Sequence, residues 1–215
     1  LINRSSFLTV ASGAAALALA GAGAPAAAAP AGGFVFDRAA FEAVLASPAR
    51  HRQVFGTARL GGALVLHYMR NSLVAYRDGF AEGPGTLHVA AVFYGTSIAA
   101  VCPDALWKAF SLEKYLTRTG EAFEQGARDG NPYGDQVAAL HASGASFFVC
   151  NNALNELAES LANAPEGSGS DPGTIYAQFA ATLHKAPGVM LVPAGVAALN
   201  AAQEAHFTLL QATLK

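Results

Sequence analysis

Charge is scarce in this sequence. Of 215 residues only 13% are Asp, Glu, Lys or Arg, with 13 basic against 15 acidic and a formal net charge of -2. No run of five basic residues occurs. The chain therefore lacks the electrostatic footprint that draws nucleic acid or anionic lipid. Cysteine is nearly absent as well. Two thiols, Cys102 and Cys150, are too few for a disulfide-stapled scaffold, and neither stands in a CxxC or CxxCH. The histidines (His51, His67, His88, His141, His184, His206) are scattered, with no HExxH and no HxH. No metal set is legible from that spacing, and no cofactor is expected.

What is present is apolar. Hydrophobic residues make up 53% of the chain, much of it alanine. The length leaves room for one sizeable α/β domain and a leader. Residues 1–33 read as an export signal followed by an Ala/Pro/Gly-rich linker. Arg4 is the only charge before an Ala/Leu/Gly run, and small residues at Ala22, Ala24, Ala26 and Ala28 fit A-x-A cleavage. Arg4-Ser5-Ser6-Phe7-Leu8 resembles a twin-arginine leader with Ser5 in place of the second arginine, so the general secretory route stays open. The expected location is periplasmic or extracellular, with no membrane attachment once the leader is removed. Gly21-Ala22-Gly23-Ala24-Pro25-Ala26 matches a loose dinucleotide fingerprint. It has no strand before it and prolines after it, so that reading is rejected.

Residues 34–215 read as a single domain. Asp37 caps a short helix carrying Phe41, Val44 and Leu45 that ends at Pro48. His51 to Phe55 is extended. Gly61 to Phe80 is a long helix with Leu66, Met69, Leu73 and Tyr76 as its stripe. Thr86 to Tyr94, nearly all apolar from Val89 on, suits a strand covered on both faces. Gly95-Thr96-Ser97 follows, and Cys102-Pro103-Asp104 opens a short helix with Pro103 at its first position. Leu112 to Gln125 is helical in part, 128–135 is a polar loop, and Gln136 to Ala142 is a helix. Ser146 to Val149 is a short apolar strand. After Cys150-Asn151-Asn152, Leu154, Leu157, Ala158 and Leu161 recur on one helical face. A loop over 163–173 is read as a surface insertion. A helix over 174–184, a strand over 189–192 closed by Pro193, a helix over 195–204 and a last strand over 206–210 complete the chain. The 195–204 helix is expected to present Val196, Leu199 and Gln203 on one side. Strands alternating with helices at this spacing predict an α/β fold in three layers. Its mainly parallel sheet has about five strands, with helices on both faces.

Two segments carry a resemblance. Gly144-Ala-Ser-Phe147-Phe-Val-Cys150-Asn-Asn-Ala-Leu154 is a strand ending in Cys before an Asn-rich helix start. Val189-Met-Leu-Val-Pro193-Ala-Gly195-Val is a strand ending in Val-Pro-x-Gly-Val. The chain resembles the DsrE/DsrF-like family of sulfur-relay proteins, in element order from about Leu64 to Leu210. The resemblance implies a DsrE-like three-layer fold, assembly as a homo-oligomer, and Cys150 as the residue that carries sulfur. It also implies a protein that donates or accepts that sulfur. Ala205-His206 stands where the family favours a glycine, and the family's known relays are cytoplasmic, unlike a chain with an export leader.

The chemistry asks for a thiolate near a helix start, where unpaired N–H groups face the sulfur. Cys150 fits, and Asn151 and Asn152 add side-chain donors. Tyr94, Gly95 and Ser97, with His141, are candidates to line the same carboxyl edge of the sheet. Cys102 is a second thiol, either packed beside a helix start or paired with Cys150. The expected activity is that of a sulfur carrier or sulfurtransferase. The alternative is a non-catalytic oligomeric module that binds a small ligand or a protein and uses Cys150 only as a packed residue.

Overall fold

The computed structural model describes residues 34–123 and 130–212. The leader expectation, the start of the 128–135 loop and the last residues of the 112–125 helix lie outside the described residues.

Asp37 opens the first helix, α1 (Arg38–Leu45), by accepting the Ala40 N–H at 2.9 Å. The chain then enters β1 (His51–Thr57), which begins with three polar residues yet ends fully buried at Val54, Phe55, Gly56 and Thr57. A short 3-10 turn over Gly61–Ala63 leads into α2 (Leu64–Val74), which loosens into a π turn over Ala75–Gly79. The stripe expected along this segment holds: Leu66 and Met69 are sealed, and Leu73 and Tyr76 pack against the core.

The best strand of the sequence is β2 (Leu87–Phe93). A 3-10 segment over Gly95–Val101 follows, then α3 (Asp104–Ala109) and α4 (Leu112–Arg118). Pro103 stands at the N-cap of α3, one residue outside the helical position expected for it. After α5 (Gly134–Ala142) come β3 (Ser146–Cys150), α6 (Asn151–Ala162) and α7 (Pro172–Leu183). The connection between α6 and α7 lies at the surface, as expected, with Asn163, Pro165, Ser168, Gly169, Asp171 and Pro172 exposed; it is tied down where Gly167 is buried against the end of α6 and Glu166 pairs with Arg118 at 3.0 Å. The chain ends with β4 (Val189–Val192), α8 (Gly195–Glu204) and β5 (Thr208–Gln211).

The five strands form one all-parallel sheet in the order β4-β3-β2-β1-β5. Alternation along the central strands divides two cores. Val89, Ala91 and Phe93 of β2, with Phe55, Phe147 and Val149, face the layer built by α2, α6 and α7. Ala90 and Val92, with Val54 and Phe148, face the layer of α1 and α8. This is the expected three-layer α/β architecture with helices on both faces. One stripe differs. The buried side of α8 is Gly195, Ala198, Leu199 and Ala202, while Val196 is 73% exposed and Gln203 points to solvent. Small side chains let α8 lie close to the sheet, and a pattern read from the larger residues missed them.

Among the described residues no helix is long and apolar enough to cross a membrane.

Candidate functional site at the carboxyl edge of the sheet

Neighbouring strands β3 and β4 send the chain to opposite faces. From Cys150 it enters α6, which packs in the first core; from Val192 it crosses through Pro193-Ala194 into α8, which packs in the second. A divergence of this kind is the topological switch point at which open α/β sheets collect their ligands. Cys150 is paired in register with Val192, so its sulfur stands at the switch point itself.

Cys150 is also the N-cap of α6. Its Sγ accepts the N–H of Ala153 at 3.5 Å, a role usually filled by Ser, Asp or Asn. The thiol therefore receives one of the amides left unpaired at the start of a helix and lies on the positive end of its dipole. It is 6% exposed. On the α8 side the buried backbone of Gly195 packs closely against it. A Cβ added at Gly195 would lie 3.2 Å from Cys150 Cβ, 3.3 Å from Tyr94 Cδ1 and 3.1 Å from Val92 Cγ1. Only a glycine leaves these three side chains in place, which explains why the strand-to-helix link carries one here.

Tyr94 follows β2, is half-buried, and packs against both cores. Burial pushes its phenol above the usual tyrosine value, and the nearby Cys150 sulfur raises it further. Asn151 is held from the opposite side: Tyr176, on α7, donates its hydroxyl to Asn151 Oδ1 at 2.6 Å, and Asn155 Nδ2 donates to the Asn151 carbonyl at 3.0 Å. Asn152 is exposed on the first turn of α6. Cys150, Tyr94, Asn151 and Gly195 thus form one cluster.

The remaining candidates do other work. Gly95 has φ +63°, and a Cβ there would come within 2.6 Å of the Ala58 carbonyl oxygen, so it serves the turn. Ser97 is buried beneath that turn. Its hydroxyl reaches the carbonyls of Thr57 (2.7 Å) and Tyr94 (2.9 Å) and accepts the Tyr94 N–H at 3.1 Å, which locks the end of β2 to the end of β1. His141 lies against Gly188, just before β4, at the amino edge of the sheet and away from Cys150. Cys102 is sealed, donates its S–H to the Ile98 carbonyl at 3.3 Å, and is not bonded to Cys150. Burial drives the Cys102 thiol far above the ordinary range. Tyr176 was not legible as a site residue, because its partner Asn151 lies 25 residues away and no local pattern joins them.

Fold and edge together place the chain in the broad class of parallel, three-layer α/β proteins with a thiol at the switch point. Comparison with protein-family models, with curated proteins and with solved structures returned no match.

Proposed function

We propose that the protein is an exported, DsrE-like, oligomeric sulfur carrier that holds a sulfane sulfur on Cys150. The observation that carries this reading is the position of one atom: the Cys150 Sγ sits at the switch point and accepts the Ala153 N–H. In the reaction, the Cys150 thiolate attacks the terminal sulfur of a donor persulfide R–S–SH. The new S–S bond forms as the donor's S–S bond breaks, the donor leaves as RS⁻, and Cys150 keeps the terminal sulfur with its proton. An acceptor thiolate unloads it by the same exchange in reverse. The Ala153 amide offers a hydrogen bond to negative charge on Sγ.

The test is mass spectrometry of the full chain after incubation with glutathione persulfide and trapping with an alkylating agent. One added sulfur on the peptide containing Cys150, lost in Cys150→Ser, is the expected result. An unmodified Cys150 overturns the reading.

A second reading is favoured by the 6% exposure of Cys150. In it the protein is a non-catalytic oligomeric binding module, and Cys150 is a capping residue. Cys150→Ser then keeps the biological role intact, since serine is a good cap.

A further inference from the structure

A second strand-to-helix corner lies on the same edge of the sheet, two strands away from Cys150, where β1 runs into α2. It encloses a cavity of about 310 Å³. Small-molecule pockets begin at roughly this size. Leu60, Leu64, Ala122 and Ala212 supply apolar wall, and Arg59 and Glu121 supply the charge.

The two charges are not equally satisfied. The Glu121 side chain is 5% exposed and collects three donors: Thr96 Oγ1 at 2.8 Å, Arg59 Nη2 at 3.2 Å and the Gly61 N–H at 3.5 Å. The Arg59 side chain is 71% exposed and gives one nitrogen to Glu121. A guanidinium has five N–H donors in a planar fork that suits two carboxylate oxygens at once. Glu121 is therefore the anchor that orients Arg59, and among the described residues the guanidinium keeps donors that no protein group takes. The backbone beside it is strained: Ala63 is fully buried with φ +51°, a conformation that costs a non-glycine residue free energy. Ala63 is also the N-cap of α2 and offers no side-chain cap.

We propose that this cavity binds a small organic carboxylate, with its charge on Arg59 and its apolar body against Leu60, Leu64 and Ala122. The site is separate from Cys150 and does not depend on the sulfur reading.

The experiment is calorimetric and ligand-observed NMR titration of the full chain with isovalerate, its neutral isostere isovaleramide, and isobutylamine. Saturable isovalerate binding is expected, with isovaleramide weaker by at least about tenfold, the factor that one charge-assisted pair supplies. Arg59→Gln, at an exposed side chain, loses the acid's advantage over the amide. Ala122→Trp, at an exposed position on the cavity wall, weakens the acid to the same degree without touching the charged pair. If Arg59→Gln fails to fold, the acid-to-amide ratio and Ala122→Trp decide. Equal affinity for acid and amide, tighter binding of the amine, or no saturable binding of isovalerate overturns the proposal. Repeating the titration in Cys150→Ser keeps the outcome independent of the thiol.

Discussion

Cys102 and Cys150 have equally little contact with water but face opposite kinds of backbone. Cys102 faces a carbonyl and donates a hydrogen bond to it, the Ile98 oxygen at 3.3 Å. Cys150 faces an amide and accepts a hydrogen bond from it, the Ala153 N–H at 3.5 Å. The first arrangement needs the neutral thiol; the second accommodates a negative sulfur. Around Cys102 the side chain of Asn131 also donates to the carbonyls of Ala100 and Cys102, both at 2.8 Å, which fixes the loop that encloses the sulfur. Beside Cys150 the backbone of α8 packs in through Gly195, where an added Cβ would lie 3.2 Å from Cys150 Cβ. Exposure alone does not distinguish the two thiols: 0% and 6% are both buried. The polarity of the facing backbone does.

The contrast is broken most directly by chemistry at sulfur. In the native protein Cys150 should react with iodoacetamide faster than Cys102 by on the order of a hundredfold, because Cys102 must wait for the structure to open. Mass spectrometry of the two cysteine peptides over time reads this ratio. Equal rates would remove the distinction.

The next effect is on stability against pH. Below the ordinary thiol value of about 8.5, the folded and the unfolded chain both keep the Cys102 proton. Above it the unfolded chain releases that proton while the folded chain retains it, because burial has raised the folded thiol. The Cys102 contribution to stability is therefore complete at neutral pH and is lost as pH rises, by up to about 1.4 kcal/mol per pH unit. Urea unfolding from pH 7 to pH 10 should show this slope in the wild type and its loss in Cys102→Ala. The variant itself should cost about 1–2 kcal/mol at pH 7 by leaving a small void. An unchanged slope would show that the two sulfurs are alike.

Gly195→Ala sharpens the comparison from the other side. The new methyl meets Val92, Tyr94 and Cys150 at 3.1 to 3.3 Å. Overpacking of this kind should cost about 1–2 kcal/mol. Labelling of Cys150 should slow while that of Cys102 stays the same, as measured in the same alkylation experiment. The smallest expected effect is on Tyr94. Ultraviolet titration should find its phenol ionising above the usual tyrosine range, and Cys150→Ser should bring it part of the way down. Most of the shift remains in that variant, because burial is the larger cause.

Much of this edge was legible in the sequence, for a physical reason. The β3–α6 corner is built by residues within about ten positions of one another, and strand alternation, the helix stripe and the cap all act over that distance. The same holds for α8, whose limits, Gly195 to Glu204, are those its pattern predicts. Its buried face was misread because alanines at 198 and 202 contribute by closeness rather than by hydrophobic bulk. The sequence marked His51 to Phe55 as extended and gave no sign that this segment is an interior strand. Its leading His-Arg-Gln looks solvent-facing, and its partners on either side come from distant parts of the chain. The Tyr176–Asn151 bond and the Arg59–Glu121 pair were invisible for the same reason. Only tertiary packing brings them together, and no local period announces them.

The sheet order has a consequence for how the chain is made. β1 lies between β2 and β5, and Gln53 pairs with Thr208, close to the two ends of the described chain. During synthesis β2 is available early, but the other side of β1 stays bare until Thr208–Gln211 has been made. That open backbone is a ready acceptor for any extended peptide in its vicinity. A chain shortened before Thr208 would keep this vulnerability for good. The four-residue strand β5 thus acts as a clasp on β1, exchanging a long buried edge for a short one.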